Sequence, residues 1–412
     1  MKCLALFLFA LSAVALTQNA PPPGSVTVPI TVDHNRVTVD VDLPLPDGTN
    51  LRIRGWVDNG NPGLELSRRA ATLLGLKVSC GDKECSAPPP REIMIGAMRI
   101  SLAAVKEAKI PLRSPTAASV AFPGMSAEIN LPSTLLRNYD VLINFPGHEF
   151  TLAPPGTLKF NGSKTKAIVN AETGLIQIPS QIEKKKYNLA LDVGASISLL
   201  APDLFDSLAA AHPAWPHMTG AIGPANMWGR DAELNQKLMR IDRIQYGPLF
   251  LTNVPAAELP KDDMAFFEKR AGIATAGLIG ADVLANYRVG LDYAHSTVYF
   301  DIGRLSNFPA FDIIGLILRP EDDAGFTVLG IADFDGEPAV PKVHAGDHLL
   351  AIDGIGISGK TLGQVLLMLG GEPGKERRLT IGREDKQINT SATLRHFLGE
   401  VQDESASKGK KD

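Results

Sequence analysis

One ordered pattern occurs twice in this chain, and it restricts the fold more than any other feature. In the first copy, Val37-Thr38-Val39-Asp40-Val41-Asp42-Leu43 and Leu51-Arg52-Ile53-Arg54 alternate apolar and polar residues and run into Trp56-Val57-Asp58-Asn59-Gly60. Leu64 and Leu66 follow, then a helix-like Ala70-Ala71-Thr72-Leu73-Leu74-Gly75. In the second copy, Leu175-Ile176-Gln177-Ile178 and Leu189-Ala190-Leu191-Asp192-Val193-Gly194-Ala195-Ser196 lead to Leu199-Leu200 and a helix-like run from Pro202 to Leu208. Later, Leu136-Arg137-Asn138-Tyr139-Asp140-Val141 is matched by Leu284-Ala285-Asn286-Tyr287-Arg288-Val289. Period-two alternation broken by Pro44, Pro46 and Asp47-Gly48 means strands and turns. Repetition at this spacing predicts two related β-rich lobes, residues 25–158 and 168–305, with a Pro/Gly junction between them. The 38 Gly and 30 Pro agree with many short strands rather than long helices.

The chemistry of the repeat lies in Asp58 and Asp192, 134 residues apart. A lone Asp-x-Gly is an ordinary turn. Here an apolar strand enters each Asp, a Gly stands two residues on, and an apolar stretch follows. Two such loops meeting at a pseudo-two-fold axis would set two carboxylates side by side, and such a pair holds one proton between them. The ionised oxygen would take a proton from a trapped water while the protonated partner donates to a substrate carbonyl. The glycines would let backbone approach backbone without a Cβ in the way. This chemistry needs no metal, organic cofactor or covalent intermediate.

These residues resemble the retropepsin-like and pepsin-like aspartic peptidases. Leu191-Asp192-Val193-Gly194-Ala195-Ser196 is similar to the family's apolar-Asp-Thr-Gly-Ala-Ser, and Gly277-Leu278-Ile279-Gly280-Ala281-Asp282-Val283-Leu284 to its later apolar-Gly segment. The resemblance implies a catalytic dyad of Asp58 and Asp192, with Asn59, Gly60, Val193, Gly194, Ala195 and Ser196 as supporting loops. The family's flap, a hairpin closing over substrate, is placed in segment 220–229 on its glycine content alone. The chain departs from the family at Asn59 and Val193, where the family carries hydroxyls that tie the two loops together. That change predicts a looser site, so a non-catalytic two-lobed peptide-binding or scaffold protein stands beside the peptidase reading.

From about Phe308 the pattern changes. Ile313-Ile314-Gly315-Leu316-Ile317-Leu318, then Ala345-Gly346-Asp347-His348-Leu349-Leu350-Ala351-Ile352-Asp353-Gly354, then a helix-like Leu362–Leu369, resemble a PDZ domain of the bacterial protease-associated kind over residues 308–395. The resemblance implies strand addition of a peptide C-terminus, with the carboxylate loop at Ile314, Gly315 and Leu316 and with Val365 and Leu366 lining the groove. Gly354-Ile355-Gly356-Ile357-Ser358-Gly359-Lys360-Thr361 fits a phosphate-loop pattern. Its interior is apolar and the PDZ pattern runs straight through it, so no nucleotide is expected. The expected fold is thus mainly β: two pseudo-symmetric aspartic-protease-like β-barrel lobes followed by a small α+β PDZ domain.

The N-terminus, Met1-Lys2 followed by an apolar run ending in small residues, reads as a signal peptide over 1–17, or as a retained anchor, followed by a Pro-rich linker over 18–24. Export would leave Cys80 and Cys85 as an even pair, read as a small disulfide loop. The chain would then be periplasmic or secreted. A charged, Ser-rich tail, 399–412, reads as disordered. With 41 Lys+Arg against 45 Asp+Glu, a nucleic-acid partner is not expected. The eight His show no zinc-hydrolase spacing and the chain has no Gly-x-Ser-x-Gly elbow. The expected partners are peptide or protein substrates, together with C-terminal peptides at the PDZ groove.

Overall fold

The computed structural model describes residues 22–81, 85–110, 126–271, 274–303, 311–321 and 325–402. The expected leader (1–17), residues 18–21 of the expected linker, residues 308–310 of the expected third domain and residues 403–412 of the tail lie outside the described residues. None of the described helices is long and apolar enough to cross a membrane.

The chain is mainly β, and the repeat is visible as two copies of one strand plan. In the first lobe, strand Arg36–Pro44 pairs antiparallel with Asn50–Asp58. Val37, Val39, Val41 and Leu43 point to one side and are fully buried, as the period-two pleat requires. Strand Ile129–Pro132 then joins Asn50–Asp58 in parallel, with Pro132 opposite Asp58. The second lobe repeats this order. Ile176–Ile182 pairs antiparallel with Lys185–Leu191, and Gly277–Ile279 joins in parallel with Ile279 opposite Leu191. Short helices Ser133–Leu136 and Ala281–Leu284 follow at equivalent places.

The lobes are joined by a six-stranded sheet whose strand order is itself symmetric. Asp140–Asn144 and Tyr287–Asp292, the strands that follow the shared Asn-Tyr, lie antiparallel at its centre. Asp140 faces Asp292, Leu142 faces Gly290 and Asn144 faces Arg288. Equivalent strands paired head to tail about their midpoints are what a two-fold axis demands. The sheet ends match as well: Val26–Pro29 closes one edge and Ser163–Lys166, in the junction just before the second lobe, closes the other.

The third unit is a six-stranded antiparallel sheet, five strands in the order Leu316–Pro320, Phe326–Ile331, His348–Ile352, Glu376–Arg383 and Lys386–Thr393, with Ile355–Gly356 paired to His348–Ile352, together with helix Leu362–Leu369. That helix starts with a reciprocal capping box between Thr361 and Gln364, a local signal present in the sequence. The unit does not stand apart. Its Leu316, Val365 and Leu366 share one apolar core with Ile197, Leu199, Ile222 and Leu278 of the second lobe. Cys80 and Cys85 form the expected disulfide, which closes a short hairpin in the first lobe.

Candidate active site

Each aspartate sits at the end of a buried strand, where the chain turns through Asp-x-Gly. The turn is held by the parallel strand and helix behind it, and the two lobes use equivalent bonds. Ser133 N–H donates to the Asn61 carbonyl (2.9 Å), and Ala281 N–H donates to the Ala195 carbonyl (2.8 Å). Gly194 N–H donates to Asp192 Oδ1 at 2.7 Å. Asn130 Nδ2 lies 3.4 Å from Asp58 Oδ2 and donates more closely to the Gly63 carbonyl, at 2.9 Å.

The two loops face each other, and each glycine packs against the other lobe's aspartate. A Cβ on Gly60 would collide with the Asp192 carboxylate. A Cβ on Gly194 would lie 2.7 Å from Asp58 Oδ1 and 3.0 Å from Asp192 Oδ1. Both carboxylates therefore reach within 3.0 Å of one point. Only a residue without a side chain permits this approach at both positions.

Asn59 corrects the expectation of a loosened junction. Its Nδ2 donates to the Leu191 carbonyl at 2.7 Å, and its Oδ1 accepts from Val193 N–H at 2.9 Å. The primary amide, one donor and one acceptor on a single short arm, grips both sides of the opposite Asp-x-Gly loop. Val193 needs no hydroxyl for this, since it contributes only its backbone N–H and is fully buried. Both of these bonds are thus made by a side chain of the first lobe. Ser196 turns away from the aspartates: its hydroxyl donates to the Pro224 carbonyl at 2.7 Å, and its own carbonyl accepts from Asn35 Nδ2 at 2.9 Å.

The sequence reading missed the groups that surround this centre. Strands Thr31–Asp33 and Arg36–Pro44 form a hairpin whose two-residue turn, His34-Asn35, has both φ values in the left-handed region (51° and 61°), the geometry of a type I′ turn. The turn brings Arg36 into the interior, where it is fully buried. Its guanidinium lies 4.4 Å from the centre of the Trp228 ring and 5.7 Å from that of Trp56, and it donates to the Met227 carbonyl at 3.1 Å. Burial pushes Arg36 down to about 10, while Asp33, Glu233, Asp58 and Asp192 pull it back up, so it remains cationic at neutral pH. Burial also pushes His34 down to about 3, so the imidazole there is neutral. An isolated Arg opening an alternating strand directly after a His-Asn turn was the available sequence signal.

Segment 220–229, expected to be a flap hairpin, is not one. It contains a 3₁₀ turn, Gly223–Ala225, and a second, Asp231–Asn235, follows. The segment meets the Asp192 loop, through Pro224 and Ser196, and the third unit, through Asn226 and Leu318. The expected groove residues Ile314, Gly315, Leu316, Val365 and Leu366 are all buried. The Phe397 ring lies against Gly315, and the Gly315 carbonyl accepts from Ala332 N–H. A cavity of about 650 Å³ opens on the second lobe beside Gln181, Lys186, Asn188, Gln245 and Thr275, and neither aspartate lines it.

Behind Asp192, a buried carboxyl supports the Gly280 turn. Ser198 Oγ donates to Asp282 Oδ1 (2.9 Å) and accepts from Gly280 N–H (3.1 Å). Burial pushes Asp282 up to about 7, and the Ser198 bond pulls it part of the way back. In the unfolded chain this carboxyl titrates near 3.8. Between those two values the folded state holds the proton and the unfolded state does not. The Asp282 contribution to stability is therefore fully present below the unfolded value and is lost as pH rises to about 7. Wild type should gain stability relative to Asp282→Asn as pH falls from 7 to 4, by about 1.4 kcal/mol per unit of displacement. Melting temperatures of both proteins across that range measure this, and a difference independent of pH would exclude the protonated buried acid.

No family model and no curated protein matches the sequence. Among solved structures, the chain is similar to the crystal structure of aspartic proteinase from Irpex lacteus, with a TM-score of 0.39 and 11% identity, over 69% of this chain and 98% of that one.

Proposed function

We propose that the chain is an exported aspartic-type endopeptidase in which Asp58 and Asp192 share one proton and activate a water. One observation carries this reading: two equivalent Asp-x-Gly turns, one from each lobe, converge so that both carboxylates reach a common point beside Gly194. Two carboxylates this close cannot both ionise cheaply. The ionised one accepts a proton from water and the protonated one donates to the scissile carbonyl, after which the roles reverse. Asn59 holds the two loops in register, and the glycines leave room for the pair. The strand order of the third unit, with its helix after the hairpin of His348–Ile352 and Ile355–Gly356, supports reading it as a PDZ-type module that handles peptide C-termini. The Cys80–Cys85 bond supports export. Peptide cleavage across pH, with and without a transition-state-mimicking inhibitor of aspartic peptidases, tests the reading. A rate that neither the inhibitor nor loss of either aspartate alters would refute it.

One observation favours the second reading, a peptide-binding protein that does not cut. Asp58 and Asp192 are only 3% and 8% exposed, and Trp56 and Trp228 close over the same region. Turnover dependent on both aspartates would exclude that reading.

A further inference from the structure

Segment 220–236 touches two places that the sequence keeps far apart. On one side it meets the strand Leu316–Pro320, the edge of the third unit's sheet. Among the described residues, that strand pairs with another strand, Phe326–Ile331, along one edge only. At its other edge, Asn226 Oδ1 accepts from Leu318 N–H at 2.8 Å, and Asn226 Nδ2 donates to the Leu318 carbonyl at 3.0 Å. A primary amide offers the same donor and acceptor as a peptide unit, so Asn226 takes the two backbone groups that an added strand would use. The fit is close on either side of it. A Cβ on Gly229, at φ +65°, would lie 2.7 Å from Arg319 Cα, and one on Gly220 would lie 3.2 Å from Ile317 Cδ1. Ala221, Ile222 and Ala225 are buried in one apolar core with Leu316, Val365 and Leu366.

On the other side, the same segment forms part of the wall beside the aspartates. The Met227 carbonyl accepts from Arg36, and Trp228 meets Trp56 edge to face with ring centres 5.9 Å apart. The Pro224 carbonyl accepts from Ser196 of the Asp192 loop. Glu233 ties the two sides together: its carboxylate accepts from Asn226 Nδ2 (2.7 Å), Trp228 N–H (2.7 Å) and Gly229 N–H (3.0 Å). The chain of contacts thus runs from Leu318 through Asn226 and Glu233 to Trp228 and Trp56, whose Cζ2 lies 3.0 Å from the point beside Gly194 that both carboxylates reach.

We propose that the third unit takes the chain's own segment 220–229 as its ligand, with Asn226 as the positioning residue that holds Trp228 in the wall of the carboxylate site. An edge strand left bare would capture another extended chain. Here it is capped from within. An extended peptide with an apolar C-terminus therefore competes with Asn226 for the same edge. The effect on turnover rests on the peptidase reading; the contact and the competition do not.

The test uses the full chain and its Asn226→Ala variant. Near-ultraviolet circular dichroism reads the Trp56–Trp228 contact, and fluorescence anisotropy reads binding of a labelled hexapeptide ending in an apolar residue. The variant is expected to lose at least half of the tryptophan signal and to bind the peptide at least tenfold more tightly than wild type. A wild-type spectrum, an unchanged peptide affinity or no peptide binding by the folded variant would each overturn the proposal. Should the variant not fold, hydrogen exchange of the wild type decides. The Leu318 amide is then expected to be protected, and millimolar peptide is expected to speed exchange in residues 221–229. An unprotected Leu318 amide, or exchange in that segment unmoved by peptide, overturns it. Peptide cleavage that proves independent of Asp58 and Asp192 would remove the peptidase reading and leave these readouts standing.

Discussion

Asp192→Asn is expected to lower kcat for peptide hydrolysis by about 10²–10⁴-fold, the range that removal of a positioned acid or base produces. The substitution changes almost no shape. Its Oδ1 still accepts the Gly194 N–H that Asp192 accepts at 2.7 Å, so the loop keeps its course. What is lost is proton chemistry, because a carboxamide neither takes a proton from water nor passes one to the leaving amine. Asp58→Asn is expected to cost a similar factor, since the pair acts as one unit. For the same reason the double variant should be little worse than either single one. The wild-type profile of kcat/KM against pH should be bell-shaped, one limb for the ionised member and one for the protonated member. A fluorogenic peptide assay with circular dichroism on the same samples measures this. Full activity in a correctly folded Asp192→Asn protein would remove the proposed mechanism.

The second large effect is expected at Asn59, and on stability. Asn59→Ala removes both bonds to the opposite loop and leaves the Leu191 carbonyl and the Val193 N–H buried without the partner they have now. Each such loss costs about 1–3 kcal/mol, so the variant should be about 2–6 kcal/mol less stable. Activity should fall as well, since a displacement of about 1 Å at reacting groups can cost about a hundredfold. Asn59→Thr is the informative control. A hydroxyl can also donate once and accept once, so this variant should recover much of the loss. Chemical denaturation of the three proteins gives the order wild type, Thr, Ala. An Ala variant as stable as wild type would mean that the inter-lobe tie does not hold the loops together.

Asn59 also shows where reading the sequence alone falls short. By residue type it is a missing hydroxyl, and the inference from that was a weakened junction. The position is in fact occupied by a side chain of different chemistry that makes both bonds. Ser196 gives the opposite lesson: it fits the family pattern by type, yet its hydroxyl is turned to Pro224. The flap assignment failed for a related reason. The glycine content of 220–229 suggests a flap, whereas Gly220 and Gly229 serve close contact with Ile317 and Arg319.

Trp228 and Asn226 have no local signature, and Arg36 has only its place after the His-Asn turn, because their environments are built by distant residues. Arg36 meets Met227 across 191 positions, and Asn226 meets Leu318 across 92. No window of sequence contains both partners.

The sequence by itself determined the duplication, the β character, the paired Asp-x-Gly turns and the Cys80–Cys85 loop. These rest on period-two patterning and on glycine at points of tight turning, which are local properties of the chain. Only the tertiary structure decided how the two turns are tied, which groups wall the carboxylates, and that the third unit is packed onto the second lobe rather than tethered to it. Those outcomes depend on burial and on the pairing of polar groups across long separations. A buried donor or acceptor must find a partner wherever the fold brings one, and the partner's identity is set in three dimensions.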